Sequence, residues 1–219
     1  MELTKYEHAC FVVEKNGKSI VVDPGSFTSD LIIPSNVVAV IITHEHGDHL
    51  DMDHLVAIVK INPDMVIIGP QEVTAQLGSF QTRTVHGGDS FAIGGINLDF
   101  YGNEHEPIHT DFPKSQNVGV LIDDRLYYPG DSFTVPGKSV DTLALPVAAP
   151  WLKLQDAIEF MKVISARFTF PTHDAILSSS GKAVADSMLS GFAEAASTDY
   201  RRIDGDTIKI EINPDAITV

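Results

Sequence analysis

The segment Thr43-His44-Glu45-His46-Gly47-Asp48-His49 sets four potential metal ligands, His44, His46, Asp48 and His49, within six residues. Imidazole and carboxylate are good ligands for zinc, iron and manganese, so the chemistry on offer is that of a bound divalent cation. This spacing cannot lie on one face of a helix, as a His-x-x-x-His pair would, so the ligands must project from an irregular loop. Gly47 is expected to supply the backbone freedom to turn between two ligand pairs. Nine histidines are spread over 219 residues, which leaves a polar surface loop holding three of them by chance as the weaker account.

A loop of ligands needs rigid elements around it. Val37 to Ile42 is apolar at every position and rich in β-branched residues, which predicts a strand covered on both faces. Asp51 reads as the N-cap of a helix from Met52 to Lys60, stopped by Asn62-Pro63. Upstream, strands are predicted over Leu3 to Tyr6, Ala9 to Lys15 and Ser19 to Val22. Asn16-Gly17 forms the hairpin between the last two, and Asp23-Pro24-Gly25 ends the third. Downstream come a strand at Met65 to Ile68, a short helix at Pro70 to Leu77, and strands at Thr82 to Val85, Ser90 to Ile93 and Ile96 to Tyr101. The second half reads as strands at Asn117 to Ile122, Leu126 to Tyr128 and Leu143 to Val147, with a turn at Asp123-Asp124. Helices follow at Leu154 to Ala166 and Ser180 to Ala196, and Thr207 to Ile212 closes as an alternating strand. Two strand series with helices between and after them predict two packed sheets with helices outside.

Apolar residues at 43% and charged residues at 21% are those of a globular protein, and the length fits a single domain over 1–219. No stretch approaches the roughly 18 apolar residues of a membrane span, which argues against a membrane partner. Fifteen Lys and Arg stand against 30 Asp and Glu, a formal net charge of −15. Such a surface repels phosphate backbones, so the expected partner is a small-molecule substrate and not nucleic acid. Nothing in the sequence sets the oligomeric state. The single cysteine, Cys10, excludes an internal disulfide and a site of several thiolates, and its apolar neighbours predict a buried thiol. The opening Met-Glu-Leu-Thr-Lys-Tyr has no basic segment leading into an apolar run, so a cytoplasmic location is expected. Trp151, after Pro150, either lines a pocket mouth or packs as a half-buried ring.

His44-x-His46-x-Asp48-His49 resembles the signature of the metallo-β-lactamase superfamily. That family's pattern has three further ligands downstream, and matching residues stand in the same order. They are His105 in Gly102-Asn103-Glu104-His105, Asp131 in Gly130-Asp131-Ser132, and His173 in Phe170-Pro171-Thr172-His173. Asp23-Pro24-Gly25 stands where the family has an Asp at a strand end. The resemblance spans about residues 6–175 and implies an α+β fold, a four-layer αββα sandwich with the site at one edge between the sheets. It also implies one ion held by His44, His46 and His105, a second held by Asp48, His49 and His173, and Asp131 bridging them. His109 is the alternative to His105 as third ligand. Glu7-His8-Ala9-Cys10-Phe11 is similar to a Gly-His-Ala-x-Phe opening of a branch of small metal-dependent hydrolases, with Glu in place of Gly. It implies that His8 orients a ligand carboxylate such as Asp48; the other reading is a strand-end histidine satisfied by backbone.

The implied activity is hydrolysis of a small metabolite ester, lactone or phosphoester. Two Zn2+ ions, or Mn2+ or Fe2+ in their place, would share a water whose pKa falls from about 15.7 toward about 7, and the bridging hydroxide would attack. Asp48 would hold a metal and orient that nucleophile. Cys10 stands in the wrong place for the cysteine ligand of several true β-lactamases, and Asn103-Glu104 replaces the Gly-His pair usual in glyoxalase-type thioesterases. Two other readings stay open: a mononuclear iron dioxygenase of the persulfide dioxygenase kind, and a non-catalytic metal-binding module.

Overall fold

The computed structural model describes residues 1–203 and 207–209. Three strands, β1 (Glu2–Lys5), β2 (Phe11–Lys15) and β3 (Lys18–Val22), form an antiparallel meander. Asn16 and Gly17 both take positive φ, 52° and 69°, as the two-residue turn of a tight hairpin requires. From β3 the sheet continues with parallel pairings to β4 (Val37–Ile41), β5 (Val66–Gly69) and β6 (Thr82–Thr84). Parallel neighbours need a crossover. The β3–β4 crossover is a loop, residues 23–36; helix α1 (Met52–Ile61) makes the next, α2 (Gln71–Gln76) the last, and the Asp51 side chain caps α1 by accepting from the His54 amide.

The second sheet repeats this plan. β7 (Ser90–Ile93), β8 (Ile96–Tyr101), β9 (Gly119–Ile122) and β10 (Leu126–Tyr128) pair antiparallel. β11 (Thr142–Pro146), β12 (Phe168–Thr172) and β13 (Asp199–Tyr200) then add in parallel, crossed by α3 (Leu154–Ile164) and α4 (Ser179–Ala193). Finally β14 (Thr207–Lys209) returns to the first sheet and pairs antiparallel with β1. Each sheet thus runs through three antiparallel and then three parallel pairings among the described residues. Residues 210–212 of the expected closing strand lie outside the described ones.

The inner faces share one apolar core, in which Phe11, Ile20 and Ile41 meet Phe100, Tyr128 and Phe170. Leu55 and Ile58 of α1 and Val73 of α2 cover the outer face of the first sheet. Ile158 and Met161 of α3 and Leu189 of α4 cover the second. The result is the expected αββα order of layers. Pro171 sits inside β12, where a proline would ordinarily argue against a strand. It is tolerated because β13 pairs only with Phe168 and Thr169, so the ladder on that side has already ended. Among the described residues no helix is long and apolar enough to cross a membrane.

Cys10 is fully buried at the start of β2, and burial pushes its thiol up to about 12. The folded protein is therefore expected to react with a thiol reagent at pH 8 at least about a hundredfold more slowly than the unfolded chain. Rapid stoichiometric modification of native protein would show that this strand opens.

Candidate metal centre

Every element that carries a predicted site residue delivers it to one end of the sandwich. Within the first sheet β1, β3 and β4 run in the same direction, as do β8, β10, β11 and β12 in the second. His8 follows β1, Asp23 follows β3, and the 43–49 loop follows β4. His105, Asp131 and His173 follow β8, β10 and β12. The C-terminal ends of co-directed strands are where loops of such sheets build sites.

The seven predicted metal ligands converge there. His44, His46 and His105 form one group and Asp48, His49 and His173, with His8, another; His44, His49 and Asp131 form a third that overlaps both. Within each group the candidate donor atoms lie within 4.8 Å of one another. The structure brings His105 to this cluster, with its ring centroid 4.8 Å from that of His44 and 4.7 Å from that of His46. His109 instead lies with its side chain 62% exposed, and its Nδ1 accepts from the Asp111 amide. Glu45 turns away from the cluster and accepts from Gln76 Nε2. His86 is exposed, while His54 is half-buried beside Asp51, less solvated than a helix-start histidine is expected to be.

The rings are aimed by their Nδ1 atoms. His49 Nδ1 bonds Asp23 Oδ2 at 2.7 Å, His173 Nδ1 bonds the Ala148 carbonyl at 2.6 Å, and His105 Nδ1 bonds the Glu106 carbonyl. Thr43 Oγ1 stands 3.1 Å from His44 Nδ1. In each case the other nitrogen, Nε2, is turned into the cavity. Those four Nε2 atoms and Oδ1 of Asp131 are buried with no hydrogen bond. Carboxylate oxygens do stand near: Asp131 Oδ2 is 3.0 Å from His173 Nε2 and 3.3 Å from His105 Nε2, but not in hydrogen-bonding alignment. Buried polar atoms without partners cost about 1–3 kcal/mol each, so five converging on one point fit a cation that they share.

Electrostatics carries the same imprint. Burial, then the neighbouring His49 imidazole, holds His44 well below its ordinary pKa; burial and His105 lower His46. Burial is the largest single influence and would lower His49 and His173 too, but Asp131 together with Asp23 for His49, and with Asp48 and the Ala148 carbonyl for His173, outweighs it, so both are raised. Burial would raise Asp131 and Asp48; the histidines around them reverse the sign and hold both carboxyls below the usual range. Asp48 keeps 22% of its side chain exposed against 3% for Asp131, which makes it the carboxylate that faces the open cavity.

His8 has a defined tautomer. Its Nδ1 accepts from the Ala175 amide at 3.3 Å, so Nε2 carries the proton and donates to Asp48 Oδ2 at 3.0 Å. Its carbonyl accepts from His173 N and from the buried Lys5 ammonium. His8, Asp23 and His173 all hold positive φ, 59°, 43° and 58°. Three non-glycine residues in this sparsely populated region mark backbone held by its surroundings.

Three residues position the ligand candidates, of which the sequence marked Asp23 as a strand-end match and left Trp151 between a pocket-mouth and a packing role, while Asn117 was not singled out. Asp23, fully buried, accepts from Thr43 N at 2.8 Å, Thr43 Oγ1 at 2.7 Å and His49 Nδ1. Its place before Pro24-Gly25 was the available signal. Asn117 accepts from Asp131 N and donates to the Pro129 carbonyl, gripping the turn that presents Asp131. Nothing in its sequence context separates it from an ordinary strand-end asparagine. Trp151 enters the site, with its indole Nε1 donating to Asp131 Oδ2 at 2.9 Å.

Residues 2–173 match the family described as the Beta-lactamase superfamily domain. Protein Rv0786c of Mycobacterium tuberculosis is 32% identical over 92% of this chain and 95% of its own length. A UPF0173 metal-dependent hydrolase of Bacillus mycoides is 28% identical over 79% of this chain and 85% of its own. Among solved structures, the metallo-beta-lactamase fold protein YhfI from Bacillus subtilis superposes with a TM-score of 0.73 at 15% identity, covering 94% of this chain and 98% of that one.

Proposed function

Because the chain belongs to the β-lactamase superfamily and has the metallo-β-lactamase fold, we propose that it is a metal-dependent hydrolase with a two-zinc centre acting on a small metabolite ester, lactone or phosphoester. The observation that carries this reading is the set of buried, unpartnered donor atoms of His44, His49, His105, His173 and Asp131 turned toward one another. His44, His46 and His105 would hold one ion, Asp48, His49 and His173 the other, with Asp131 between them. The all His/Asp donor set suits zinc and admits manganese or iron. Cations held by these residues would supply a water acidified from a pKa of about 15.7 toward about 7 and an electrophile for the substrate oxygen.

The remaining work falls to the chain's own side chains. Asp48, facing the cavity, orients the attacking water through its carboxylate. His8 fixes that carboxylate by donating from Nε2 to Oδ2. Trp151 fixes Asp131 in the same way from the opposite wall. Asp23 holds the His49 ring in line from the far side of its imidazole. A hydrogen-bonded partner of this kind is worth roughly 10–100-fold in metal affinity or activity.

Metal binding gives the test. Because the Asp131 carboxylate beside them raises His49 and His173 above the ordinary histidine value, both hold their protons to higher pH than a free imidazole does. A cation needs neutral imidazole, so uptake must displace those protons. Zinc titration at pH 7 is expected to release protons, seen by calorimetry in buffers of different ionisation enthalpy. The affinity is expected to fall as pH drops from 7.5 to 6. Near two equivalents of zinc or manganese, with turnover of esters or lactones, supports the assignment. One iron with oxygen consumption would favour the dioxygenase, and tight binding without turnover the binding module. Zinc uptake without proton release would place the ion elsewhere.

A further inference from the structure

Beside the metal centre lies a cavity of about 580 Å³, floored by His46 and His105 and walled by the loop that joins β8 to β9. That volume falls within the range of small-molecule sites. Its wall is apolar: Pro107, Ile108, Phe112 and Pro113 line it. Ile108 is 41% and Phe112 62% exposed, although large apolar side chains on a loop gain nothing from water. The His109 ring packs edge-on against Phe112 at 6.2 Å, bracing the exposed ring. Two carboxylates, Glu45 and Glu106, share the lining. Lys114 is the cation among the lining residues, and Glu104 neutralises it at 2.6 Å. The cavity therefore offers an apolar surface in a negative field.

From this lining, and resting on the hydrolase reading above, we propose that the 105–115 loop is the specificity element and that it selects substrates whose part remote from the scissile bond is hydrophobic and carries no negative charge. Each methylene moved from water onto such a wall is worth about fourfold at full burial. With the scissile group engaged at the metal centre, a distal carboxylate on the wall would meet Glu45 and Glu106, while Lys114 is already paired with Glu104. The selectivity thus has two separable sources, contact with Ile108 and Phe112 and repulsion from the two glutamates.

Zinc-loaded protein is assayed with p-nitrophenyl acetate, p-nitrophenyl hexanoate and mono-p-nitrophenyl adipate. The expected kcat/KM for the hexanoate is at least tenfold above that for the acetate and at least tenfold above that for the adipate. Combining Ile108→Ala with Phe112→Ala should collapse the first ratio below about threefold, and Glu45→Gln with Glu106→Gln should shrink the second at least threefold. Ratios near one in the unaltered protein, or ratios that the substitutions do not move, overturn the proposal. A second readout needs no turnover: metal-free protein is titrated with hexanamide and with adipamic acid while the Ile108 methyl resonances are followed by NMR. Saturable shifts with hexanamide and weaker ones with adipamic acid support the pocket even if no ester is hydrolysed, in which case the hydrolase reading alone fails. Equal response to both amides, or none to either, sinks the pocket.

Discussion

Asp131→Asn is expected to lower kcat/KM on any hydrolysed ester by about a thousandfold or more, and to strip zinc from the protein, while the sheets stay folded. The residue stands among three imidazoles, with Oδ1 3.4 Å from His49 Nε2 and Oδ2 3.3 Å and 3.0 Å from His105 and His173. Among the described residues no other carboxylate reaches both groups of histidines: Asp48 lies beside His8, His49 and His173 and is grouped with neither His44 nor His105. Asparagine keeps the shape and can still accept from Trp151 and hang from Asn117. It removes the negative charge, however, and one of its two terminal atoms becomes a donor. Loss of a metal's electrostatic contribution is worth several kcal/mol of barrier, hence the thousandfold. Metal content by elemental analysis, circular dichroism and steady-state kinetics measure the three parts of this outcome. An Asp131→Asn protein with two bound zinc ions and full activity would remove the basis of the proposed centre.

Gly25→Ala should be the more damaging change to the fold, although Gly25 carries no chemistry. A Cβ there would stand 1.9 Å from Asp48 O, 2.0 Å from Asp48 C and 2.3 Å from His49 N. The obstacle is backbone, and it is stitched in place: Ser26 N donates to Gly47 O at 2.8 Å, and Asp23 holds His49. Either the ligand loop or the turn after β3 must move. The expected cost is at least about 3 kcal/mol, at the upper end for overpacking a rigid site. For a chain of this size that lowers the melting temperature by roughly 6–12 °C, with weaker zinc binding in whatever remains folded. Gly47→Ala is the matched control, because a Cβ at Gly47 meets nothing within 4 Å. Equal melting temperatures for the two variants would show that the close approach at Gly25 yields without strain.

This pair also corrects an expectation. The freedom to turn inside the ligand loop was expected of Gly47, the glycine between two ligand pairs. Gly47 is not among the glycines with positive φ. The loop instead needs a glycine from another element, at the end of β3, to let its backbone pass. Local sequence can mark where a chain turns; it cannot mark which distant backbone will press against it.

Much else was legible. The apolar run before His44 reads as a strand buried on both faces, and it is β4, an interior strand of its sheet. Asp51 was recognisable as a cap because it precedes an amphipathic run, and its side chain does cap α1. The short β13 was not legible, since two residues carry no periodicity. The candidate donors and their order along the chain were readable because metal chemistry restricts donors to a few side chains and one segment holds four of them. Asn117 and Trp151 act on the site only through Asp131, and side chains that work through another residue leave no spacing to find.

Sequence alone determined the donor inventory and the two strand series that carry it, because residue chemistry and periodicity are local properties. Only the tertiary structure decided that His105 and not His109 joins the cluster, that Trp151 reaches Asp131 rather than serving as packing alone, and that an apolar cavity with two lining glutamates adjoins the cluster. Those outcomes depend on which strand ends come to lie side by side. That is set by the packing of two sheets around a shared core, a property of contacts between residues far apart in the chain.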